Sequence, residues 1–428
     1  MHESHPVSLA ITDDLRRARL TVFFRLLLFI PHLVWFVLWS IAVVVAAIAG
    51  WIATLATGGL PGGLHRFFCA YIRYSTHIFA YLYLVANPYP EFVGEAGSYP
   101  VDVRLPAAPA AQSRLRVLFR LALAIPSLAV SGALSGFSYG ASFSSRNSNT
   151  SAGTQATGLG IAAAFLGWFA SLATGRMPSG LRDAGGYALG YRAQLLAYLL
   201  LVTDRYPNAD PTALLAELER PAPHPVHLVG DSEDLRRSRL TVFFRLPIAI
   251  PHLVWLLLWS IVALLAAIVQ WFVALFAGRP AASLDAFLSA YVRYGFHVYA
   301  FISLTANPFP AFSGRFGSYP LDLVLPEPAP QNRWKTGFRL VLVLPAFLVN
   351  SALGSVLVVD AVLIWFYALV TGRAPEGLRN LSAYALRYNA QAGAYFVLLT
   401  DVYPHASPLE GGSEADARAG TVELDVAA

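Results

Sequence analysis

RLTVFFRLLLFIPHLVW, residues 19–35, returns as RLTVFFRLPIAIPHLVW at residues 239–255. Downstream, Trp51, Arg73, His77, Asn87 and Asp102 recur as Trp271, Arg293, His297, Asn307 and Asp322 in the same register, so the chain is a tandem duplication. Each half is itself double. FRLLLFIP at Phe24, FRLALAIP at Phe119, FRLPIAIP at Phe244 and FRLVLVLP at Phe338 are one motif written four times. ATGGLPGGL from Ala56 matches ATGRMPSGL from Ala173 and VTGRAPEGL from Val370, with AGRPAASL from Ala277 a weaker version. The quarters close on ANPYP, TDRYP, ANPFP and TDVYP, at Ala86, Thr203, Ala306 and Thr400.

One repeat therefore reads as a short strand, a basic stretch, a long apolar helix, a Gly/Pro turn, a second helix and a Pro-rich exit. The strand follows from period-2 alternation in HPVSL, YPVDVRL, HPVHL and YPLDLVL, at His5, Tyr99, His224 and Tyr319. The turn follows from Gly and Pro, which break helix and reverse the chain. The repeats fall at 1–98, 99–223, 224–318 and 319–404, and the polar tail at 405–428 is expected to be disordered. The second repeat is 22 residues longer between Pro126 and Trp168 than the first is between Pro31 and Trp51. Its polar insertion lies at about 135–157.

The solvent follows from composition. Of 428 residues, 56% are hydrophobic and 13% charged, against roughly 25% charged in a soluble domain. The runs Phe23 to Leu55 and Val242 to Phe276 exceed the roughly 18 apolar residues that mark a membrane helix. A cleavable signal peptide is not expected, because the first apolar run is too long for an h-region. The net charge of +5 comes from arginines flanking apolar spans, which sets topology and does not imply nucleic acid. Cys69 is the lone cysteine, so an intrachain disulfide and a cysteine metal site are excluded.

The fold class is thus an all-α polytopic membrane protein with a possible small cytoplasmic β-sheet. Leu20 to Thr57 would be about 57 Å long as one helix, nearly twice the hydrocarbon core. The insertion also places a polar break near Ser40. An interfacial helix over Leu15 to Trp39 and spans at Ile41–Ala56 and Phe67–Ala86 are expected, about eight spans in all; the alternative is one tilted, Pro31-kinked helix per repeat. Trp35, Trp39, Trp255 and Trp259 suit a headgroup belt. Arginines open every quarter: Arg16, Arg17, Arg19 and Arg25; Arg104, Arg114, Arg116 and Arg120; Arg236, Arg237, Arg239 and Arg245; then Arg333, Lys335 and Arg339. They put the N-terminus and all repeat entrances on the cytoplasmic side of the membrane.

Candidate site residues lie on the second helix. In YIRYSTHIFAY, Arg73, His77 and Tyr81 share one face at i, i+4 and i+8. Counterparts are Arg293, His297 and Phe301 in the third repeat and Arg387, Gln391 and Tyr395 in the fourth. The second repeat has Gln194 and Tyr198, with Arg192 near the arginine position. An ionisable residue inside a span is a functional candidate, here for an anionic ligand or lipid headgroup. Alternatively the arginines snorkel while His, Gln and Tyr bond between repeats. Asp360, amid VLVVDAVLIWF, is an intramembrane acid private to the last repeat, suited to a proton relay, a partner for an arginine, or a bond between helices. Neither a metal site nor a cofactor is expected: the two histidines stand in separate repeats, and phosphate-loop, nucleophile-elbow, HExxH and haem motifs are missing. Asp204 and Asp401 read as helix-end caps.

FRLxLxIP, TGRxPxGL, the Tyr-Arg-Tyr helix and the terminal aromatic-Pro together resemble a bacterial membrane family known only as a domain of unknown function, in its tandem actinobacterial form. The resemblance covers nearly the whole chain to Pro404, departs at the second-repeat insertion, and implies a fold with no activity attached. A non-enzymatic structural or accessory protein that organises lipid or a membrane complex is expected. Its partners would be membrane lipids and other membrane subunits. The alternative is a transporter or lipid-handling protein with a central polar path.

Overall fold

The computed structural model describes residues 5–136, 158–230 and 235–411, and the chain divides into two compact units, Met1–Glu219 and Arg220–Ala428. Unit 1 runs β1 (Ser8–Ile11), α1 (Arg19–Phe23), α2 (Arg25–Thr57), α3 (Gly62–Leu82), β2 (Val101–Arg104), α4 (Arg114–Leu118), α5 (Arg120–Leu123), α6 (Ile125–Ser135), α7 (Leu159–Thr174), α8 (Ser179–Leu199) and α9 (Pro211–Leu214). Unit 2 runs β3 (His227–Val229), α10 (Arg239–Phe243), α11 (Arg245–Ala277), α12 (Ala282–Ile302), β4 (Asp322–Val324), α13 (Arg333–Gly337), α14 (Arg339–Leu342), α15 (Leu344–Thr371) and α16 (Glu376–Phe396).

The turn chemistry is as the sequence implies. The long helices end on Gly58, Gly175, Gly278 and Gly372, each left-handed with φ between 72° and 82°. A proline, Pro61, Pro178 or Pro375, then N-caps the next helix in three of the four repeats.

The expected break near Ser40 does not occur. α2 is one 33-residue helix carrying Pro31 inside it, and α11 repeats this with Pro251. The reason is local: Ser40 Oγ donates to the carbonyl of Phe36 one turn back, at 2.6 Å, and lies 2.8 Å from Tyr71 Oη, so its polarity is met within the helix layer. Only the second repeat is divided there, into α6 and α7. Gly136 and Gly158 touch, so closely that a side chain on Gly158 would overlap the backbone of Gly136. The insertion thus leaves and re-enters at one point; its residues 137–157, like the tail from 412, lie outside the described residues. Among the described residues, three helices are long and apolar enough to cross a membrane: Arg25–Thr57, Arg245–Ala277 and Arg339–Thr371.

In place of a four-stranded sheet there are two antiparallel pairs, β1 with β2 and β3 with β4, registered Leu9 to Val103 and Leu228 to Leu323. In unit 1, β2 packs on α3 and β1 on α8, and α3 and α8 pack on each other. α2 flanks α3, and α6 and α7 flank α8. The C-terminal half of α3 and most of α8 are buried, whereas α2 is bare along most of its length, with Leu26 69%, Ile41 61% and Ile52 59% exposed.

The two repeats of a unit grip one another reciprocally. α1 lies against the C-terminal end of α7: Trp168 Nε1 donates to Val22 O at 2.9 Å and Arg19 to Ala173 O at 3.0 Å. α4 lies against the C-terminal end of α2: Trp51 Nε1 donates to Val117 O at 2.8 Å and Arg114 to Ala56 O at 2.9 Å. Unit 2 repeats both contacts, through Trp365 to Val242 O and Trp271 to Thr336 O. The two entrances of a unit therefore sit at opposite ends of the long helix, roughly 45 Å apart at 1.5 Å per residue.

Candidate functional site

The most regular polar feature is a buried arginine from each FRL motif. Arg25, Arg120, Arg245 and Arg339 are each 1–2% exposed and reach the C-terminal end of the last long helix of their own repeat, α3, α8, α12 or α16. Arg25 donates to the carbonyls of Tyr81 and Ala86, Arg120 to Tyr198 and Thr203, Arg245 to Phe301 and Ala306, and Arg339 to Tyr395 and Thr400. Helix C-termini leave carbonyls without intrahelical partners and carry partial negative charge, so a guanidinium fork satisfies both needs. The same four guanidinium groups stack over the rings of Tyr81, Tyr198, Phe301 and Tyr395, at 3.9 to 4.5 Å from the centroids. Three of the candidate residues, Tyr81, Tyr198 and Tyr395, are thus the aromatic seats of these caps. In the second and fourth repeats Asp204 and Asp401 complete the site by pairing with the arginine at 2.8 and 2.7 Å.

The other candidates turn toward the strands. His77 and Arg73 both face Asp102 of β2, at 3.4 and 3.9 Å, and Arg73 Nε donates to Val103 O. His297 and Arg293 repeat this on Asp322 at 2.8 and 3.6 Å, with Arg293 donating to Leu323 O. Burial raises the Asp322 carboxyl. The bond from His297 and the N–H groups of Leu323 and Gly317 outweigh it and hold the acid below its ordinary range. Gln194 donates to Val7 O and accepts from Asn208 N, and Gln391 donates to Val226 O and accepts from His405 N. Arg192 stacks over Phe79 of the neighbouring helix at 4.2 Å. Within each unit, the polar faces fasten the strands and exit segments to the helices.

Arg387 differs. It donates to Ser407 O at 2.6 Å, lies 3.4 Å from the half-exposed Glu410 carboxylate, and lines a cavity of about 660 Å³ with Gln391, His224, His227 and His405. Burial pushes His224 down to about 4, so it is neutral at pH 7. At the matching position unit 1 has Gly190, with Leu214 and Leu9 filling the space beside it. Asp360 is fully buried and accepts a bond from Ser382 Oγ at 2.7 Å, which joins α15 to α16. Among the described residues, no group of three or more His, Cys, Asp or Glu is placed to hold a metal.

The family described as Domain of unknown function (DUF4389) matches four times, over residues 19–94, 155–209, 239–313 and 333–407. The chain belongs to the DUF4389 family. No curated protein and no solved structure matches it. Three of the DUF4389 matches begin just before the FRL arginine and end past the cap it makes, so each of these matches spans an arginine-capped helix pair. The second begins inside the insertion and leaves Arg120 outside.

Two features of the DUF4389 repeats were missed as functional in the sequence. The tryptophans Trp51, Trp168, Trp271 and Trp365 recur visibly, yet nothing local indicates that they bond to another repeat's entrance helix. Leu84, Leu201, Leu304 and Leu398 adopt φ of 61–66°, where glycine is the usual residue at a helix end. Leucine is retained because its side chain is buried; Leu84 packs on Val22 and Met177, and Leu304 on Val242. Asp360 supplies a test of whether its bond is merely structural. Ser382→Ala is expected to cost about 1–3 kcal/mol by stranding the buried carboxyl. The pair Asp360→Leu with Ser382→Ala is expected to cost less than that single change. Unfolding in detergent micelles reads both, and a larger loss in the double variant would assign Asp360 another partner.

Proposed function

We propose that this protein is a non-enzymatic structural or accessory protein of a bacterial plasma membrane, organising lipid or a membrane complex through its bare apolar helices. The observation that carries this reading is where the polar residues point. Arg73, Arg293, Gln194 and Gln391 are bonded to backbone carbonyls of the protein's own strands and flanking segments. The long helices, in contrast, present Val45, Leu38 and Leu265 outward, each more than half exposed. Lipids and other apolar membrane segments are the partners such a surface accepts.

The cavity at Arg387 favours a second reading, an anion or lipid-headgroup site in unit 2, because a buried guanidinium lines it and, among the described residues, is paired with the half-exposed Glu410 carboxylate. The two readings separate in reconstituted vesicles. The structural reading expects inorganic phosphate and a fluorescent phosphatidylglycerol to cross no faster than in protein-free vesicles. A severalfold faster rate, lost in Arg387→Gln, would replace it with lipid or anion handling.

A further inference from the structure

We propose that within each unit the long apolar helix lies in the plane of the membrane, sunk into one leaflet, and that the strand-bearing face looks into water. This goes beyond the role proposed above and does not depend on it; it needs only that the apolar helices meet lipid.

The argument begins with the chain between α3 and α4. It leaves the C-terminal end of α3, where Asn87 meets Arg25. Gly94 then lies against the backbone of Ala70 and Tyr74, Asp102 against His77, and Gln112 N bonds to Gly58 O at the far end of α2. This return leg therefore runs the whole length of α3 as strand, turns and irregular chain. If α2 and α3 crossed the bilayer, the leg would cross it too, with β2 near mid-depth. Non-helical chain is tolerated at that depth only where protein buries it or where it lines a water-filled cavity. Here it is not buried: Glu91, Glu95, Ser98 and Arg104 are exposed along it, and Arg104 pairs with Glu217 at the surface. Charges and open strand edges in hydrocarbon are strongly unfavourable.

Laid flat, the same unit has no such conflict. The leg, the β1–β2 pair and the Arg104–Glu217 pair face water. The exposed apolar positions of α2, from Leu26 to Ile52, meet acyl chains over roughly 39 Å, a length that exceeds a roughly 30 Å hydrocarbon core crossed upright. The arginines at both ends, Arg16 and Arg19 beside α7 and Arg114 and Arg116 beside α2, then share one headgroup layer, which suits an amphipathic structure in the interface. Unit 2 carries the same leg: Asn307 meets Arg245, Gly314 presses on Ala290, Asp322 meets His297, and Gln331 N bonds to Gly278 O. Exposed Arg315 and Glu327 lie along it.

The test uses the full chain with Cys69→Ala and one added cysteine at a time. Ala18 and Ser113 are the exposed N-caps of α1 and α4, at opposite ends of α2; Glu95 sits on the leg and Ile41 midway along α2. Intact cells and inverted membrane vesicles are treated with a membrane-impermeant maleimide, and total thiol is read after solubilisation. Ala18→Cys, Ser113→Cys and Glu95→Cys are expected to label from one and the same side, and Ile41→Cys from neither. Labelling of Ala18→Cys and Ser113→Cys from opposite sides would overturn the proposal in favour of a transverse helix. Labelling of Ile41→Cys from water would overturn it by removing the lipid contact.

Discussion

Arg245→Ala is expected to destabilise unit 2 by about 3–5 kcal/mol, among the largest effects of any single substitution in the chain. Arg245 is 1% exposed and donates to Phe301 O in the last turn of α12 and to Ala306 O just beyond it. Truncation leaves both acceptors in a site where water has no entry, and a buried acceptor without a donor costs about 1–3 kcal/mol. The stacking over Phe301, with the guanidinium carbon 3.9 Å from the ring centroid, is lost as well. Arg245→Lys keeps the charge but loses the planar fork, which bonds two carbonyls and lies flat on the ring at once. It is expected to restore less than half of the loss. Unfolding of the purified protein in mild detergent, titrated with denaturant, measures both variants. A cost below about 1 kcal/mol for the alanine variant would mean that α12 ends elsewhere or that solvent reaches the carbonyls.

The same arginine shows how far sequence reasoning reached. Fourfold recurrence of FRLxLxIP, with the exits at Asn87, Asp204, Asn307 and Asp401, made the repeat visible. The periodicity of apolar residues made the helices visible. What periodicity lacks is direction in three dimensions. Arg25 and Arg16 stand nine residues apart in one basic cluster, yet one is buried beneath Tyr81 and the other is 77% exposed. A count of positive charges treats them alike. Arg73 and His77 share a helix face as their spacing requires, but that spacing is silent about Asp102, 25 residues beyond His77, which occupies the face. The break placed near Ser40 failed for a similar reason. An insertion shows where a surface loop is tolerated in one copy, whereas in the others a serine bonded one turn back leaves the helix intact.

This reciprocity between repeats also limits what a single repeat can do. Trp51 and Trp168 each bond to the entrance of the other repeat, and Gln194 bonds to Val7 across nearly the whole of unit 1. A lone helix pair would leave its entrance helix, its strand edge and its second helix uncovered. Pairing of two repeats is thus the smallest arrangement that buries α3 and α8, and the tandem duplication supplies it twice.

Asp322 is where that arrangement is most sensitive to acid. Its carboxylate accepts from His297 Nε2 at 2.8 Å, from Leu323 N at 2.7 Å and from Gly317 N at 2.6 Å, and Gly317 is held left-handed at φ 76°. Burial raises the carboxyl, but these bonds prevail and hold it below 3.8. A depressed folded value means that the stabilisation is complete above the unfolded value near 4 and is lost as pH falls through the lower folded value. β4 is therefore expected to loosen only in acid below the ordinary carboxylate range, read as faster amide exchange at Gly317 and Leu323. Asp322→Ala removes the acceptor of three donors at once and is expected to cost about 2–4 kcal/mol at neutral pH and to flatten that acid response. The counterpart Asp102 lies farther from His77, at 3.4 Å, and its side chain is 19% exposed against 3% for Asp322. Water can replace part of what the protein supplies there, so Asp102→Ala is expected to cost less. Equal losses at the two positions would show that exposure does not set the strength of the strand clamp, and that Gly97 and Gly317, which present the same N–H to each acid, dominate it.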